Sequence, residues 1–210
     1  MERTTRFIFI AGIIIALLVA ILVFNSFLSF NQANNANKTI EGGISKGINP
    51  AKGNSSSKIV IIEFSDFQCP ACKAAMPIID AVLNRYDVAL YYRNFPLPIH
   101  KNSMDAAEAA ECANEQGKFW QYHDVLFQNQ EKLDRENLKG YVRRLDLNIE
   151  QFNACFDSQK YRNEIERDIS DGKIAGVGGT PTFFINNRKV EGASLGVFES
   201  IIKSEMMANE

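Results

Sequence analysis

The chain has 210 residues, 46% of them apolar, which is enough material for one sizeable buried core. Its formal net charge of −2 gives no electrostatic reason to expect nucleic acid as a partner. Four cysteines fit either two disulfides or one metal site, so their spacing has to distinguish these two uses.

The first 30 residues differ from the rest of the chain. Residues 1–6 are polar and carry Arg3 and Arg6, whereas residues 7–30 are apolar, with no charge among them. A helix of about 20 apolar residues spans the hydrocarbon core of a membrane. No small-residue cleavage site follows, which favours an uncleaved signal anchor over the alternative of a cleaved signal peptide. Because the arginines precede the apolar run, we expect residues 1–6 in the cytoplasm and the chain beyond residue 30 outside it, where disulfides persist.

A linker and then a single domain are predicted for the remainder. Residues 31–57 are rich in Asn, Gly and Ser and predict a flexible linker, although the part near Ile48 is a candidate for packing against the domain. The domain, residues 58–210, opens with Ile59–Phe64, a β-branched apolar run typical of a strand buried on both faces. A helix over about Cys69–Arg85 connects this run to a second strand, which favours a parallel βαβ unit.

The rest of the domain alternates helical and strand signals. Helix caps are predicted at Ser103, Asp134 and Asn148, the last with Gln151 in the pattern of a capping box. The pair Asn186-Asn187 predicts a hairpin turn, because Asn tolerates positive φ. The expected elements in chain order are a strand at Val88–Arg93, helices at about 103–116, 119–129, 134–145, 148–156 and 160–173, strands at Thr182–Ile185 and Arg188–Val190, and an amphipathic helix at Leu195–Met206.

Cys69 and Cys72 form a close pair directly after the first strand. Structural zinc normally needs two such ligand pairs, and Cys112, Cys155 and the two histidines are isolated along the chain, so the spacing argues against a metal site. A purely structural disulfide here would close a very small loop and stabilise the fold weakly. At the start of a helix, however, unpaired N–H groups and the helix dipole stabilise a thiolate. The pattern therefore favours a redox pair in which Cys69 is exposed and nucleophilic and Cys72 lies one turn inward.

A glycine-rich segment before the late strand contains Thr180-Pro181. Proline here cannot donate to a β ladder and can adopt a cis bond, although a strand-start proline is the simpler interpretation of this segment alone. Together with EFSDFQCPAC, FPL and a following His, AAECA, GKFWQYHDVLF and GTPTFFIN, the pattern resembles the DsbA-like branch of the thioredoxin superfamily over residues 58–210. That resemblance implies an α/β thioredoxin fold with an inserted helical domain at about residues 100–174, here preceded by one transmembrane helix.

The resemblance implies roles for residues around the close cysteine pair. Cys69 and Cys72 are the redox-active residues, and Ala71 stands where the best-known DsbA proteins have a His, so the positive charge of such a His is missing. Glu63 matches the buried acid that exchanges a proton with Cys72. The alternative for Glu63 is a strand glutamate at an exposed edge, because an acid is otherwise costly to bury. Asp66 is interpreted as a turn residue.

The remaining implied site residues lie far along the chain. Thr180 and a cis Pro181 are expected beside Cys69, where backbone groups receive an extended substrate peptide. Cys112 and Cys155 lie on predicted helices, and the resemblance implies a structural disulfide between them. Two buried free thiols are the alternative for this second pair.

The function implied by the resemblance is that of a thiol–disulfide oxidoreductase of the periplasm or outer cell surface, held in the membrane by residues 7–30. We expect it to introduce disulfides into unfolded or reduced secreted proteins, without a cofactor, and to be reoxidised by a membrane protein of the DsbB or VKOR kind. A disulfide reductase or isomerase on the same fold is the main alternative. A non-catalytic peptide-binding or chaperone module is a further one, which the intact cysteine pair disfavours.

Overall fold

A five-stranded mixed sheet organises residues 43–208, the part of the chain that the computed structural model describes. Its strand order is β1-β3-β2-β4-β5. β2 and β3 are parallel, which confirms the predicted βαβ unit, and every other neighbouring pair is antiparallel. The strands are β1 (Lys52–Gly53), β2 (Val60–Ser65), β3 (Ala89–Asn94), β4 (Thr182–Ile185) and β5 (Arg188–Glu191).

Seven α-helices accompany the sheet within these residues, close to the positions that the sequence predicts. A 3₁₀ turn at Val142–Leu145 follows α4, so the predicted helix over about 134–145 is split into two segments. The helices are α1 (Pro70–Arg85), α2 (Ser103–Asn114), α3 (Phe119–Gln128), α4 (Arg135–Tyr141), α5 (Ile149–Asp157), α6 (Arg162–Ile174) and α7 (Leu195–Ala208).

Strand β2 is buried along its whole length, as its apolar sequence predicts. Successive residues of a strand point to opposite faces, so its side chains enter two different apolar clusters. Ile61 packs with side chains of α1 and α7, whereas Ile62 and Phe64 pack on the other face with Phe184 of β4. By the same alternation, Glu63, the acid of this strand, lies with Ile61 on the face that α1 covers.

Helices α2 to α6 lie between β3 and β4 in the chain. Helices α2 to α5 share an apolar cluster that also includes Phe67, Tyr92 and both cysteines of the close pair. Helix α6 instead packs through Ile169 in the cluster that contains Ile62 and Phe64 of β2.

Two of the predicted caps are confirmed, since Asp134 accepts the N–H of Asn137 at 3.1 Å and Asn148 accepts that of Gln151 at 3.0 Å. The capping box is incomplete, because the N–H of Asn148 donates to the Gln116 side chain instead.

The prediction that Ser103 caps α2 is wrong. Asn102 occupies the N-cap, and Ser103 is the first residue of the helix. The Ser103 hydroxyl donates back to the His100 carbonyl oxygen at 2.9 Å, so it closes the preceding turn rather than the helix end.

Part of the predicted linker, residues 31–57, packs against the domain, as expected for the residues near Ile48. β1 extends the sheet by pairing with β3. Asn49 is 4% exposed, and its side-chain amide donates to the Tyr92 carbonyl oxygen at 3.1 Å. The Trp120 indole N–H donates to the Pro50 carbonyl oxygen at 2.9 Å. Asn and Gly are typical of linkers, but here they serve long-range contacts.

Gly47 is a second residue of this segment that contacts the domain. Its φ of +73° lies in the left-handed region, and a Cβ at this position would lie 2.5 Å from the side chain of Arg93. Arg93 is buried, ion-paired to Asp168 at 2.6 Å, and also donates to the Ser45 carbonyl oxygen. The glycine is therefore needed for the close approach of this segment to a buried ion pair, and not for flexibility.

The predicted cytoplasmic segment, the transmembrane anchor at residues 7–30 and the start of the linker lie outside the described residues. Among residues 43–208, no helix combines the length and the apolarity that crossing a membrane requires.

Candidate active site

The close cysteine pair lies where β2 gives way to α1. Cys69 is the N-cap of α1 and Pro70 its first residue, where the missing proline N–H costs no hydrogen bond. The Cys69 carbonyl oxygen accepts the N–H groups of Cys72 at 3.1 Å and Lys73 at 3.2 Å. Both cysteines are free thiols. The two sulfurs therefore sit one helical turn apart, with Cys69 at the N-terminal end of the helix.

Cys69 is less exposed than its predicted role as an open nucleophile suggests, at 6%. The reason is the loop that precedes β4, whose peptide bond between Thr180 and Pro181 is cis. Sγ of Cys69 lies 3.3 Å from the Thr180 carbonyl oxygen, across 111 residues of sequence, and donates to it while the thiol is protonated. Because β4 pairs with β2, the start of β4 and the end of β2 lie side by side, which brings this loop over the cysteine.

The Cys69 thiolate is strongly stabilised by its surroundings. Its pKa falls from 9.0 to about 5, chiefly because the Cys72 thiol donates a hydrogen bond to the sulfur. Burial opposes this change, and the Thr180 hydroxyl and the backbone N–H groups of Cys72 and Ala71 add to it. The Thr180 hydroxyl is buried and makes no well-formed hydrogen bond with a described residue, so it is available to donate to the sulfur. Stabilisation of this kind is what converts a cysteine into a nucleophile and a good leaving group.

Cys72 has the opposite electrostatic character. It is 1% exposed, and burial raises its pKa far above the usual range. The Cys69 sulfur and the Glu63 carboxylate raise it further, whereas the Ser65 hydroxyl lowers it. At neutral pH, Cys72 therefore holds its proton while Cys69 has lost its own.

Glu63 is 5% exposed, as the buried-acid interpretation requires, and does not lie at an exposed edge. Burial raises its pKa from 4.5 to about 7, while the Ser65 hydroxyl and the charge of Lys52 lower it. An acid with this pKa is divided between its protonated and ionised forms near neutrality. It can therefore give up or accept a proton under the conditions in which most proteins work.

Two hydroxyl side chains that sequence reasoning missed complete this buried cluster. Ser65 follows Glu63 by two residues on the same face of β2, and Tyr92 lies opposite Glu63 in β3. Both hydroxyls are buried and make no well-formed hydrogen bond with a described residue. The period-2 pattern of the strand could have identified Ser65, but only the strand register identifies Tyr92.

Asp66, interpreted from the sequence as a turn residue, connects two loops. Its carboxylate accepts the N–H of Gln68 at 2.8 Å and the N–H of Leu97 at 2.8 Å. The same carboxylate lies 2.8 Å from Nδ1 of His100. This buried side chain holds the loop after β3 against the segment that carries Cys69.

The second cysteine pair is a disulfide in the structure. Cys112 of α2 and Cys155 of α5 are joined with a Cα–Cα distance of 5.8 Å across 43 residues, and both are buried. The bridge connects two helices of the inserted region.

The histidines have separate environments. His123 is 5% exposed, lies among the rings of Phe67, Trp120 and Phe127, and has its pKa lowered by burial. Throughout residues 43–208, no three His, Cys, Asp or Glu side chains are grouped so that they could hold a metal ion.

Solved structures resemble this fold closely. A thioredoxin-like oxidoreductase from Silicibacter pomeroyi DSS-3 is 25% identical, with a TM-score of 0.69 over 75% of this chain and 92% of that one. BdbD from Bacillus subtilis is 22% identical, with a TM-score of 0.67 over 76% and 93% of the two chains. DsbA from Chlamydia trachomatis is 19% identical, with a TM-score of 0.64 over 76% and 92%. These likenesses confirm the thioredoxin-like α/β fold.

Curated relatives match through part of their length. A protein named Na(+)/H(+) antiporter NhaA 3 from Salinispora tropica is 36% identical over 143 residues, which cover 67% of this chain and 22% of the relative. A protein named Na(+)/H(+) antiporter NhaA from Herminiimonas arsenicoxydans is 33% identical over 154 residues, or 73% and 25%. The aligned region of this chain thus spans about a quarter of the relatives' length.

A family model described as thioredoxin matches residues 45–204, which include both cysteine pairs and the cis-proline loop. Its match extends into the segment before residue 58, in agreement with the folded residues around β1. The resemblance to DsbA-like thiol–disulfide oxidoreductases that the motifs indicate is therefore confirmed, and the chain belongs to the thioredoxin family.

Proposed function

We propose that this protein is a membrane-anchored thiol–disulfide oxidoreductase, with its catalytic domain outside the cytoplasm, that introduces disulfides into secreted or surface proteins. Residues 7–30 are the anchor. Cys69 and Cys72 are the redox pair, Glu63 is the proton-exchanging acid, and Thr180 and Pro181 receive the substrate chain.

The proposal rests on one observation, which is that folding shifts the thiol pKa values of two cysteines one turn apart in opposite directions. The pKa of Cys69 lies near 5, whereas that of Cys72 lies far above the usual range. A stabilised thiolate in the reduced protein makes its disulfide easier to reduce and hence a better oxidant of other thiols. This electrostatic pattern favours oxidation of substrates over reduction, even though Ala71 supplies no charge.

The first step is attack of a substrate thiolate on the Cys69 sulfur of the oxidised pair. The Cys69–Cys72 bond breaks, a mixed disulfide forms between substrate and Cys69, and the departing electron pair stays on Cys72. Because Cys72 is held where a thiolate is disfavoured, it takes a proton, and Glu63 with a pKa of about 7 is its donor.

The second step releases the product. A second substrate thiolate attacks the substrate sulfur of the mixed disulfide, the bond to Cys69 breaks, and Cys69 departs as a stabilised thiolate. The substrate has then lost two electrons to the pair, and Glu63 regains a proton from solvent. A membrane protein of the DsbB or VKOR kind, acting as a disulfide donor, restores the Cys69–Cys72 bond.

The substrates proposed are reduced, unfolded chains. The cis-proline loop offers backbone groups beside Cys69 for an extended peptide. Two large apolar side chains, Ile99 in the loop after β3 and Ile174 at the end of α6, are each 84% exposed. Neighbouring residues of the two segments, Leu97 and Ala175, pack in one apolar cluster with Val177, which precedes the cis-proline loop. Exposed apolar side chains of this kind suit a partner that is itself unfolded and apolar.

The test is the reduction potential of the Cys69–Cys72 pair in the full chain, with oxidation of a reduced, unfolded protein as the activity. We expect a potential clearly above thioredoxin's, which is about −270 mV, and loss of activity in Cys69→Ser. A potential at or below thioredoxin's would favour the reductase alternative. Unchanged activity in Cys69→Ser would exclude Cys69 as the reactive thiol of either redox function.

A further inference from the structure

The side chain of Gln130 connects the inserted helical region to the redox loop. Its amide nitrogen donates to the Phe67 carbonyl oxygen at 2.8 Å and to the Cys69 carbonyl oxygen at 2.9 Å. One amide group, which lies 61 residues after Cys69 in sequence, thereby binds both ends of the turn that leads into α1.

The amide is presented by a hydrogen-bonded turn between α3 and α4. The Asn129 side chain donates to the Val125 carbonyl oxygen at 2.7 Å, and the N–H of Lys132 donates to the Asn129 carbonyl oxygen at 2.8 Å. The Tyr141 hydroxyl donates to the Lys132 carbonyl oxygen at 2.7 Å. Because these bonds hold both sides of Gln130, its donor group is positioned before it meets the loop.

The two carbonyl oxygens that Gln130 binds differ in the number of other donors that they accept. The Phe67 carbonyl lies in irregular backbone, and Gln130 is the donor that satisfies it among the described residues. The Cys69 carbonyl already accepts two N–H groups at the start of α1, and Gln130 approaches it as a third donor. The hydrogen bond from Gln130 to the Cys69 carbonyl oxygen therefore serves to fix the orientation of the peptide unit between Cys69 and Pro70, whereas its bond to Phe67 satisfies the Phe67 oxygen.

That peptide unit decides where the cysteine sulfur lies relative to the helix end. The N–H groups of Ala71 and Cys72, which help to lower the pKa of Cys69, follow directly after it in the chain. A rotation of the Cys69 carbonyl moves these N–H groups away from the sulfur. The length of a charge-assisted hydrogen bond decides much of its strength, so small displacements matter.

We infer that Gln130 is a positioning residue, which holds the Cys69 peptide so that the Cys69 sulfur faces the donors at the start of α1. The inference rests on the proposed redox function of this pair. It gives the inserted helical region a chemical role, because a side chain of that region orients the nucleophile on the thioredoxin-like part.

The experiment compares three variants of the reduced full chain by the pH dependence of thiolate absorbance. Gln130→Met keeps the size of the side chain without a donor, and Gln130→Glu places a carboxylate against two carbonyl oxygens. Gln128→Glu is the matched control, because Gln128 is an exposed residue at the end of α3 and gains the same charge. We expect the pKa of Cys69 to rise by about half a unit in Q130M, or about a threefold loss of thiolate at acidic pH, and by about one unit in Q130E. Q128E should stay close to the unaltered protein.

The possible outcomes distinguish a failure of the inference about Gln130 from a failure of the proposed redox function. A lower thermal stability in Q130M with an unchanged pKa of Cys69 would make Gln130 merely structural and overturn the inference. If Q130E fails to fold, the pKa of Cys69 in Q130M alone tests the inference. A Cys69 that has an ordinary pKa in the unaltered protein would contradict the proposed function instead, and the difference between Q130M and that protein would still be measurable.

Discussion

The stabilised Cys69 thiolate makes the stability of the reduced protein depend on pH in a way that the oxidised protein cannot share. The folded state lowers the pKa of Cys69 from 9.0 to about 5. A group whose pKa is lowered by folding stabilises the fold above its unfolded pKa, and this contribution is lost as pH falls through the folded value. In the oxidised protein the thiol is absent, so the contribution is absent at every pH.

The magnitude follows from the two pKa values. At pH 7 the folded thiol is ionised and the unfolded one is protonated, and two pH units above the folded pKa correspond to about 2.7 kcal/mol. Solvent near the sulfur screens part of this, so we expect about 1–2 kcal/mol. Cys72 adds nothing at this pH, because its raised pKa leaves it protonated in both the folded and the unfolded chain.

The assay is denaturant unfolding of the reduced and oxidised full chain at a fixed ionic strength, at about pH 7 and about pH 4, with the Cys112–Cys155 disulfide kept intact. Other titrating groups are present in both forms, so their effects largely cancel in the difference. We expect the reduced form to lose about 1–2 kcal/mol relative to the oxidised form between pH 7 and pH 4. A Cys69→Ala/Cys72→Ala variant should follow the pH dependence of the oxidised form.

A difference between the two forms that does not change with pH would refute this reasoning. It would mean that the fold does not stabilise the Cys69 thiolate, and the oxidase proposal would then lose the observation that carries it. A change in the opposite direction would mean that burial of the sulfur outweighs its hydrogen bonds.

Three further changes have defined outcomes. Glu63→Gln should remove the pH dependence near 7 from the rate of substrate oxidation, because burial raises the pKa of Glu63 to about 7. The same change should raise the free energy of unfolding by up to about 3 kcal/mol above pH 7 but little at pH 4, and oxidation rates and denaturant unfolding at both pH values check this. Replacing both Cys112 and Cys155 by Ala should lower the free energy of unfolding by about 4 kcal/mol, from the entropy of a loop that spans 43 residues, and unchanged stability would contradict the role of the bridge. Gly47→Ala should cost about 1–3 kcal/mol because its φ is +73° and a buried arginine lies 2.5 Å from the new Cβ, whereas Gly140→Ala, with open space around it, should cost little in the same denaturation assay.

Much of the fold could be predicted because local patterns and tertiary structure agree. IVIIEF is buried on both faces, Asp134 and Asn148 cap helices, and Asn186 has the positive φ of a hairpin turn. In each case, the residue type has a physical preference that the fold satisfies within a few positions along the chain. The predicted βαβ unit followed from the same kind of short-range information.

The parts that sequence reasoning missed depend on contacts between residues that are distant in sequence. Asn49 and Gly47 lie in a segment whose packing against the domain is expected, but nothing local identifies their partners, which lie 40 or more residues away. Gln130 gives no sign of its role for the same reason, since its two acceptors lie more than 60 residues earlier. Cys69 was expected to be exposed, and only the pairing of β4 with β2 reveals the loop that covers it.

The direction of electron flow was the question that Ala71 left open in the sequence, because no His is present to stabilise the thiolate. The structure supplies that stabilisation from other groups, chiefly the Cys72 thiol, with the Thr180 hydroxyl and the N–H groups of α1 adding to it. If these groups together stabilise the reduced form by about 1–2 kcal/mol, the potential of the pair rises by about 20–40 mV, since 1.4 kcal/mol corresponds to about 30 mV. A shift of this size favours oxidation of substrate thiols without any charge at position 71. Ala71→His should then raise the potential further, and a fall in potential would show that the groups around Cys69 act differently from this account.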